Sequence, residues 1–363
     1  MAIYIIMAII CLFGTFINVR YRKLLSYLVF IFLLFIGAFR SFDVGIDNTI
    51  YSRNFNVASM DPVTWSAYTE FEPGFAFFLA AFKTYISSDY LHFMAIVFFI
   101  YFLCINGFIR KISPNVLLSF FFLIVFTYYT KSFNMIRQSL ALGFACLAII
   151  MLEKHRNYVI YTLIILFISF LIHRTILIFL FVPLIAYTRI SNDLFKNKFI
   201  LYIIIIFSYF FVFSPGFVLE LLKKFLIHVP IIGDRYINYL TVYMELSSTA
   251  EITISKYSSL LNVIFGLYAV YLTPKNLYSN LYYRLYILSI PLANILGAVT
   301  ALFIRVSFNF QFFQIIYFVL LWYYIESSKR RLEYRVLVII YGSMIFVNAL
   351  LKNFGSVVPY QLQ

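Results

Sequence analysis

The chain has 363 residues, of which 64% are hydrophobic and 12% are charged, and its formal net charge is +14. Together with a mean hydropathy of +0.94, this composition excludes a soluble globular protein and indicates a polytopic integral membrane protein. The positive charge does not indicate a nucleic-acid partner. The basic residues stand in short clusters between apolar runs, where membrane orientation and anionic lipid headgroups account for them.

Apolar runs of about 15 to 22 residues recur along the chain, and a helix needs about 20 residues to cross the hydrocarbon core of a bilayer. The sequence therefore predicts an all-α fold. The first run, residues 2–19, leads directly into the basic turn Arg20, Tyr21, Arg22, Lys23. The positive-inside rule places this turn in the cytoplasm and the N-terminus outside. We expect the first helix to remain as a span, since it lacks the basic start of a signal peptide.

Two external loops are expected, and a short helix follows the first. Residues 40–73 are rich in polar and acidic groups, whereas 74–87 is a short apolar run with Lys83, which indicates a re-entrant or half-length helix. Residues 216–256 contain an amphipathic piece expected to lie on the membrane surface. The other predicted spans are 24–39, 90–109, 115–130, 136–152, 158–172, 175–188, 199–215, 257–273, 285–304, 307–326 and 336–351. With the first helix, this gives about twelve crossings in a single transmembrane domain, residues 1–363.

This threading leaves one alternative open. Residues 158–188 could form one long helix rather than two short ones broken at His173, and 74–87 could cross the membrane. If both held, Arg137 would face the cytoplasm, whereas the preferred threading places it outside. The alternative removes several basic residues from the cytoplasmic side, so the positive-inside rule favours the broken helix.

The first group of candidate functional residues follows the second predicted span. A tight turn at Gly45 separates two carboxylates, since glycine adopts backbone conformations that other residues avoid. The simpler interpretation is a polar loop with an arginine that reaches the lipid headgroups. The functional interpretation is a site with acidic and anion-binding groups. The group consists of Arg40, Asp43, Gly45, Asp47 and Tyr51.

The second group lies at the start of the half-length helix, where Glu72 precedes Pro73 and Gly74. Proline suits the first turn of a helix, and a carboxylate suits the positive end of the helix dipole. That structural account is sufficient by itself. A carboxylate at the mouth of a re-entrant helix would serve equally well as a base or as a group that orients a hydroxyl.

The third group, Asn134, Arg137 and Gln138, has near-helical spacing and leads into an apolar span. Burying an arginine at bilayer depth costs about 2.5–3.5 kcal/mol on insertion scales, so Arg137 needs an anionic partner. A phosphate group is one such partner, because guanidinium binds it through two hydrogen bonds. An internal ion pair with Asp47 or Glu72 is the other.

The fourth group is His173 with Arg174, which interrupts a long apolar stretch. A lone histidine in a membrane helix is more often a hydrogen-bonded packing residue, but here an arginine and a predicted exit from the bilayer accompany it. A neutral imidazole accepts a hydroxyl proton at neutral pH, which makes His173 a candidate general base. Arg305, also flanked by apolar spans, is a further candidate phosphate ligand.

Several common motifs are absent from the sequence. It contains no Gly-rich phosphate loop with Lys and Ser/Thr, no Asp-x-Asp motif and no HExxH or Cys/His cluster. Nucleotide hydrolysis is therefore not expected, and neither a metal nor another cofactor is indicated. Cys11, Cys104 and Cys146 all lie within apolar runs, so we expect them to be packing residues.

Taken together, these motifs carry a resemblance to a known family. The matching positions are Arg40, Val44, Gly45, Asp47, Tyr51, Glu72, Gly74, Asn134, Arg137, Gln138, Ala141, His173, Thr175, Arg305, Phe308 and the terminal segment 353–360. In order and spacing, over most of the chain, they resemble the EpsG-like family of Wzy-type polysaccharide polymerases. Ile46 stands where the first motif of that family usually has threonine.

The resemblance implies a fold of the membrane-embedded glycosyltransferase and O-antigen ligase class. It also implies a polymerase of O-antigen or capsular repeat units at the periplasmic face of the bacterial inner membrane. Donor and acceptor would both be undecaprenyl-diphosphate-linked oligosaccharides, and the growing glycan would move from its lipid diphosphate onto the next repeat unit. Membrane lipids and a chain-length regulator protein are the other expected partners.

Breaking a glycosyl diphosphate bond requires charge stabilisation on the leaving group and a base for the attacking hydroxyl. We expect His173 to be that base, with Asp47 or Glu72 as the second choice. The residues expected to bind diphosphate or glycan are Arg40, Asp43, Tyr51, Asn134, Arg137, Gln138, Arg174 and Arg305.

Two other functions stay open at the level of sequence. A flippase or transporter could also line a cavity with arginines to bind a lipid diphosphate. Alternating-access carriers often show inverted repeats and charged groups near the bilayer midplane, whereas this sequence shows no internal repeat. An O-antigen ligase would differ mainly in the acceptor that it uses.

Overall fold

The structure is a computed structural model that describes residues 1–59, 61–64, 71–227, 256–299 and 301–362. These residues confirm the all-α prediction, with an isolated β-bridge between Arg40 and Leu362. The α-helices are α1 (Ala2–Gly14), α2 (Val19–Ala38), α3 (Asn48–Val57), α4 (Pro73–Tyr85), α5 (Tyr90–Ile112), α6 (Val116–Val125), α7 (Tyr128–Lys131), α8 (Ile136–His155), α9 (Tyr158–Leu171), α10 (Val182–Tyr187), α11 (Arg189–Lys196), α12 (Lys198–Phe210), α13 (Pro215–Ile227), α14 (Lys256–Leu272), α15 (Leu281–Val299), α16 (Ala301–Gln311), α17 (Gln314–Tyr324) and α18 (Ser328–Leu351). Short 3-10 helices span Arg174–Phe181, Phe211–Phe213 and Lys275–Leu277.

Several of these helices are long and apolar enough to cross a membrane. Within the described residues there are six such spans, namely α2, α5, α8, α15, α18 and the stretch Phe303–Tyr324. Two bent helix pairs raise the number to eight if each pair counts as one span. The multi-pass membrane architecture is therefore supported, whereas the predicted count of about twelve crossings is not confirmed.

The difference arises because apolar runs do not report where a helix breaks. The predicted span 175–188 is a 3-10 helix followed by α10, and α11 then begins at a bend of 77°. The predicted span 199–215 ends at a bend of 103° before α13. The predicted span 115–130 is interrupted at Thr127, whose φ of 64° is left-handed. Helices α1, α6 and α9 have 13, 10 and 14 residues, short of the about 20 that a full crossing needs.

Two predicted features of the chain agree with the structure. Helix α4 has 13 residues, as expected for a half-length helix, and α9 ends at Leu171, so a break at His173 is confirmed. Of the predicted external loop 216–256, the beginning belongs to α13, and residues 228–255 lie outside the described residues. The sidedness of the protein in the membrane stays a prediction.

Side-chain caps define several helix ends. Asn18, Asp89, Asn115 and Asn157 precede α2, α5, α6 and α9, and each accepts a hydrogen bond from a backbone N–H in the first turn. Such caps satisfy donors that have no partner within the helix, which matters most where water is scarce. The turns between helices are thus fixed by short polar residues in an otherwise apolar chain.

The chain divides into two compact units, Met1–Leu180 with Phe318–Gln363, and Phe181–Tyr317. In the first unit α5 packs against α2 and α8, and α6 packs against α1 and α18. Every residue of α6 from Leu117 to Val125 is buried, so this short helix forms the centre of the unit. The single transmembrane domain expected from the sequence stays a prediction.

In the second unit α15 packs against α12, α14 and α16. Arg284, in its first turn, is only 1% exposed. Its guanidinium donates to the backbone carbonyls of Tyr278, Ile185 and Ala186 at 2.9, 2.8 and 3.1 Å, and to the side chain of Asn192. These bonds hold the turn between α10 and α11 against the start of α15, which is a structural role.

Candidate active site

Glu72 lies at the centre of a cluster of polar groups in the first unit, and its side chain is only 9% exposed. Its Oε2 accepts a hydrogen bond from Nη1 of Arg137. Its Oε1 accepts hydrogen bonds from Nδ1 of His173 at 3.2 Å and from the backbone N–H of Arg174 at 3.3 Å. One carboxylate therefore joins two predicted site residues that come from distant parts of the chain.

A close approach between two helices brings Glu72 to this place. Glu72 immediately precedes α4, which has Pro73 in its first turn, and its side chain does not cap its own helix. A Cβ on Gly74 would lie 2.5 Å from Cβ and 2.8 Å from the carbonyl oxygen of Leu171. Because Leu171 ends α9 shortly before His173, the missing side chain at Gly74 allows Glu72 to reach the histidine.

Arg137 lies in the first turn of α8 and has three kinds of contact. Besides its ion pair with Glu72, its Nε donates to the hydroxyl of Tyr51 at 3.3 Å, and its guanidinium lies 4.3 Å from the ring centre of Phe71. Of the two partners considered from the sequence, the internal ion pair is therefore present. The side chain is 21% exposed, so its charge also acts on the space beside the cluster.

His173 sits in the break between α9 and the 3-10 helix Arg174–Phe181, with a side chain that is 15% exposed. Since a carboxylate accepts from Nδ1, we assign the proton of the neutral ring to Nδ1 and the lone pair to Nε2. The carboxylate also stabilises the imidazolium that forms when Nε2 takes up a proton. The pair is thus built to accept a proton from a hydroxyl group.

The charge state of Glu72 follows from its surroundings. Burial raises the pKa of Glu72, but the hydrogen bond with His173 and the charge of Arg137 outweigh burial, so that the pKa falls from 4.5 to about 2. A depressed carboxylate pKa stabilises the fold above pH 4.5, and this contribution is lost as the pH falls towards 2. At neutral pH Glu72 is therefore an anion that orients its partners rather than a proton donor.

Arg40 is buried at 1% exposure near the end of α2. Its Nη1 donates to the carbonyl of Gly37, and its guanidinium lies 4.7 and 5.6 Å from the ring centres of Phe133 and Phe98. Burial lowers the pKa of Arg40 to about 10, against the opposing effect of nearby tyrosines, so it stays cationic at neutral pH. These contacts suit an anchor for the end of α2, and its part in diphosphate binding stays a prediction.

Asp43 and Asp47 of the first group and Asn134 of the third group lie around the start of α3. Asp43 is exposed, and Asp47 is half-buried directly before α3. Asn134 is close to this loop, with its Oδ1 3.5 Å from the backbone nitrogen of Asp47. Gln138 is buried at 2% exposure. The structure thus brings two predicted groups together, while the roles of these residues stay predictions.

The two other predicted arginines differ in their surroundings. The backbone of Arg174 belongs to the Glu72 cluster, and its side chain is exposed beside His173. Arg305 is half-buried in α16, in the second unit. Its expected contact with a diphosphate stays a prediction.

Sequence reasoning missed two contributors to the cluster. Phe71 packs on the guanidinium of Arg137, and Leu171 sets the close approach at Gly74. Phe71 directly precedes Glu72, so its place in the motif was a usable signal. Leu171 looks like any other residue of an apolar run, and no sequence signal distinguishes it.

The chain matches a known protein family over nearly its whole length. The model of the EpsG family matches residues 23–362. This range contains the complete cluster, with Tyr51, Glu72, Arg137 and His173, and extends to the C-terminal residues. Neither the curated proteins nor the solved structures contain a match. With nearly its whole length matched by the family model, the chain belongs to the EpsG family.

Proposed function

We propose that this protein is a glycosyltransferase that joins undecaprenyl-diphosphate-linked oligosaccharide repeat units into O-antigen or capsular polysaccharide. Membership of the EpsG family fits a polymerase-like role in polysaccharide biosynthesis. The several long apolar helices fit a multi-pass membrane protein, and we place the reaction at the periplasmic face of the bacterial inner membrane. A chain-length regulator is the protein partner that we expect.

The observation that carries this proposal is the shared carboxylate of Glu72. It accepts from Nδ1 of His173 and from Nη1 of Arg137, so a base and an anion-binding group are held side by side. Glycosyl transfer from a lipid diphosphate needs both, because a hydroxyl must lose a proton while a diphosphate gains charge. A purely structural ion pair between Glu72 and Arg137 would not require the histidine.

In the proposed reaction a hydroxyl oxygen of the acceptor sugar attacks the anomeric carbon of the donor glycan. The new bond forms between that oxygen and the anomeric carbon, and the bond between the anomeric carbon and the diphosphate oxygen breaks. Nε2 of His173 takes the hydroxyl proton and later releases it to water. The electron pair of the broken bond leaves with the undecaprenyl diphosphate.

In the proposed reaction guanidinium groups stabilise the negative charge on the leaving diphosphate, so the reaction needs no metal. One carboxylate oxygen of Glu72 accepts from the backbone N–H of Arg174, whose side chain is exposed, and the other accepts from the partly exposed guanidinium of Arg137. We assign these two arginines to the diphosphate, and the expected contacts of Arg40 and Arg305 with it stay predictions. Losing one such donor lowers the rate by about 10²–10³-fold when it acts like a single oxyanion-hole group.

The first test is the surface-glycan ladder of a deletion strain. Complementation with wild type should restore the ladder, whereas His173→Gln should leave a single repeat unit, because losing a general base lowers rates by about 10²–10⁴-fold. His155→Gln is the matched control, since His155 is exposed at the end of α8 and should restore the ladder. A normal ladder with His173→Gln would show that His173 is not the base.

A second test separates the polymerase from the alternatives. Purified protein in liposomes, without an ion gradient or nucleotide, should lengthen lipid-linked repeat units when these are the only glycan supplied. A flippase would leave their length unchanged. A ligase would transfer glycan only when a different acceptor, such as a lipid A core, is added, and either result would overturn the proposal.

A further inference from the structure

The C-terminal segment 353–362 runs beside the loop that follows α2. The backbone N–H groups of Gly45 and Ile46 donate to the carbonyls of Ser356 and Gly355, both at 3.1 Å. The N–H of Ser41 donates to the carbonyl of Gln361 at 2.9 Å. The two segments are therefore joined at both ends by backbone hydrogen bonds, and we call residues 353–362 the C-terminal strap.

Two tyrosines fasten the strap to the first two helices. The hydroxyl of Tyr360 donates to the carbonyl of Ile36 at 2.7 Å, and the hydroxyl of Tyr4 donates to the carbonyl of Val357 at 3.2 Å. The rings of Tyr4 and Tyr360 pack edge to face, with centres 5.6 Å apart. The strap is thus held by side chains at its middle and by its own backbone at its ends.

Asn134 is clamped between the strap and the loop. A Cβ on Gly355 would lie 2.1 Å from Nδ2 of Asn134, and a Cβ on Gly45 would lie 3.5 Å from its Oδ1. The φ angles are +77° at Gly355 and +123° at Gly45, conformations that glycine adopts without strain. Asn134 therefore has a glycine on each side, Gly355 in the strap and Gly45 in the loop, at positions that only glycine fits.

Asn134 and the loop around Gly45 are each connected to the candidate active site by a short chain segment. Asn134 stands just before α8, whose first turn carries Arg137. The clamped loop continues into α3, which carries Tyr51, and the hydroxyl of Tyr51 accepts from Nε of Arg137. One displacement of the strap would therefore shift both members of this hydrogen bond.

We propose that the C-terminal strap is a positioning element of the active site, which acts through Asn134 and the 41–46 loop to place Tyr51 and Arg137 around Glu72. Its catalytic consequence rests on the proposed glycosyltransferase function. The strap touches no reacting atom. Its effect on rate comes from the sensitivity of catalysis to small shifts, since a misplacement of about 1 Å costs on the order of 10²-fold.

The test is Gly355→Ala, with Gly216→Ala as the matched control, because a Cβ on Gly216 meets nothing within 4 Å. We expect Gly355→Ala to lower kcat for glycan elongation by about 10²-fold and the control to leave it unchanged. Asn134→Ala should lower kcat too, and the double variant should be no worse than the poorer single variant, because both changes break the same contact. Fully additive losses would overturn the proposal.

A second readout does not depend on the reaction. Hydrogen–deuterium exchange in the peptide that contains Gly45 and Ile46 should be faster in Gly355→Ala and in a chain that ends at Lys352, by about 5- to 10-fold for each lost backbone hydrogen bond. Exchange that stays at the wild-type rate would overturn the proposal. If wild type fails to elongate glycan, the proposed function fails, and the exchange data alone then decide whether the strap holds the loop.

Discussion

Two arginines near the start of long apolar helices, Arg137 in α8 and Arg284 in α15, look alike in sequence and differ in their surroundings. Arg284 is 1% exposed, and the acceptors around it are neutral carbonyls and an amide. Arg137 is 21% exposed and shares a carboxylate with a histidine. A guanidinium surrounded by backbone carbonyls stabilises a turn. A partly exposed one beside a carboxylate and an imidazole suits the binding of a reacting anion.

The largest effect is expected from Glu72→Gln, which removes the charge that distinguishes the two regions. The variant keeps nearly the same shape but no longer stabilises an imidazolium at His173, so elongation should slow by about 10³–10⁴-fold. Initial rates in liposomes with purified lipid-linked repeat units measure this. Glu326→Gln, at an exposed position, should keep the wild-type rate, and an active Glu72→Gln would contradict the shared-carboxylate account.

Gly74→Ala should have the next largest effect and slow elongation by about 10²-fold. Its Cβ would lie 2.5 Å from Cβ of Leu171, so α4 must move away from α9 and Glu72 away from His173. Gly107→Ala is the control within a helix of the same unit, because its Cβ would meet a side-chain carbon of Leu147 at an ordinary 3.9 Å. Equal activity of the two variants would show that the close approach at Gly74 does not position Glu72.

The same substitution at both arginines tests whether their surroundings determine their roles. Arg137→Lys keeps the charge but loses the geometry that spans Glu72 and Tyr51, so turnover should fall by about 10- to 100-fold with little change in the thermal unfolding midpoint. Arg284→Lys should do the reverse, because it leaves buried carbonyls without donors and destabilises the fold by about 1–3 kcal/mol. The test is to measure the turnover rate and the thermal unfolding midpoint of both variants. If both variants lost turnover and stability to the same extent, the two arginines would not have different roles.

The smallest effect is expected from Tyr51→Phe. It removes one hydroxyl that accepts from Nε of Arg137 at 3.3 Å and leaves the ring in place. A single hydrogen bond of this kind corresponds to a rate change of about 2- to 10-fold. Elongation assays at saturating donor measure it, and a loss as large as that of Glu72→Gln would mean that Tyr51 contacts the reacting groups itself.

Part of this arrangement could be predicted from local sequence. The polar pair His173 and Arg174 interrupts an apolar stretch, and the helix does end there. Pro73 marks the start of α4, and the polar residues after 85 mark its end. In each case a proline or a polar residue disfavours continuation of the apolar helix. The signal therefore lies within a few neighbouring residues.

The rest depends on contacts between distant segments, which single-residue chemistry does not encode. From the sequence, Arg137 could pair with a ligand, with Asp47 or with Glu72. In the structure it pairs with Glu72, which lies 65 positions away in the chain. The apolar runs 175–188 and 199–215 do not show that the chain bends by 77° and 103° at their ends. The contact of Gly355 with Asn134 joins the end of the chain to the start of α8, and no periodicity predicts it.

The pH dependence of elongation by wild type and His173→Gln tests most directly whether Glu72 and His173 act as one proton-accepting pair. Because the pKa of Glu72 is about 2, its carboxylate stays ionised from about pH 5 to 9 and contributes no slope there. The wild-type rate should therefore fall with decreasing pH as the imidazole takes up a proton. The residual rate of His173→Gln should be flat, and the same acidic slope in both proteins would contradict the account.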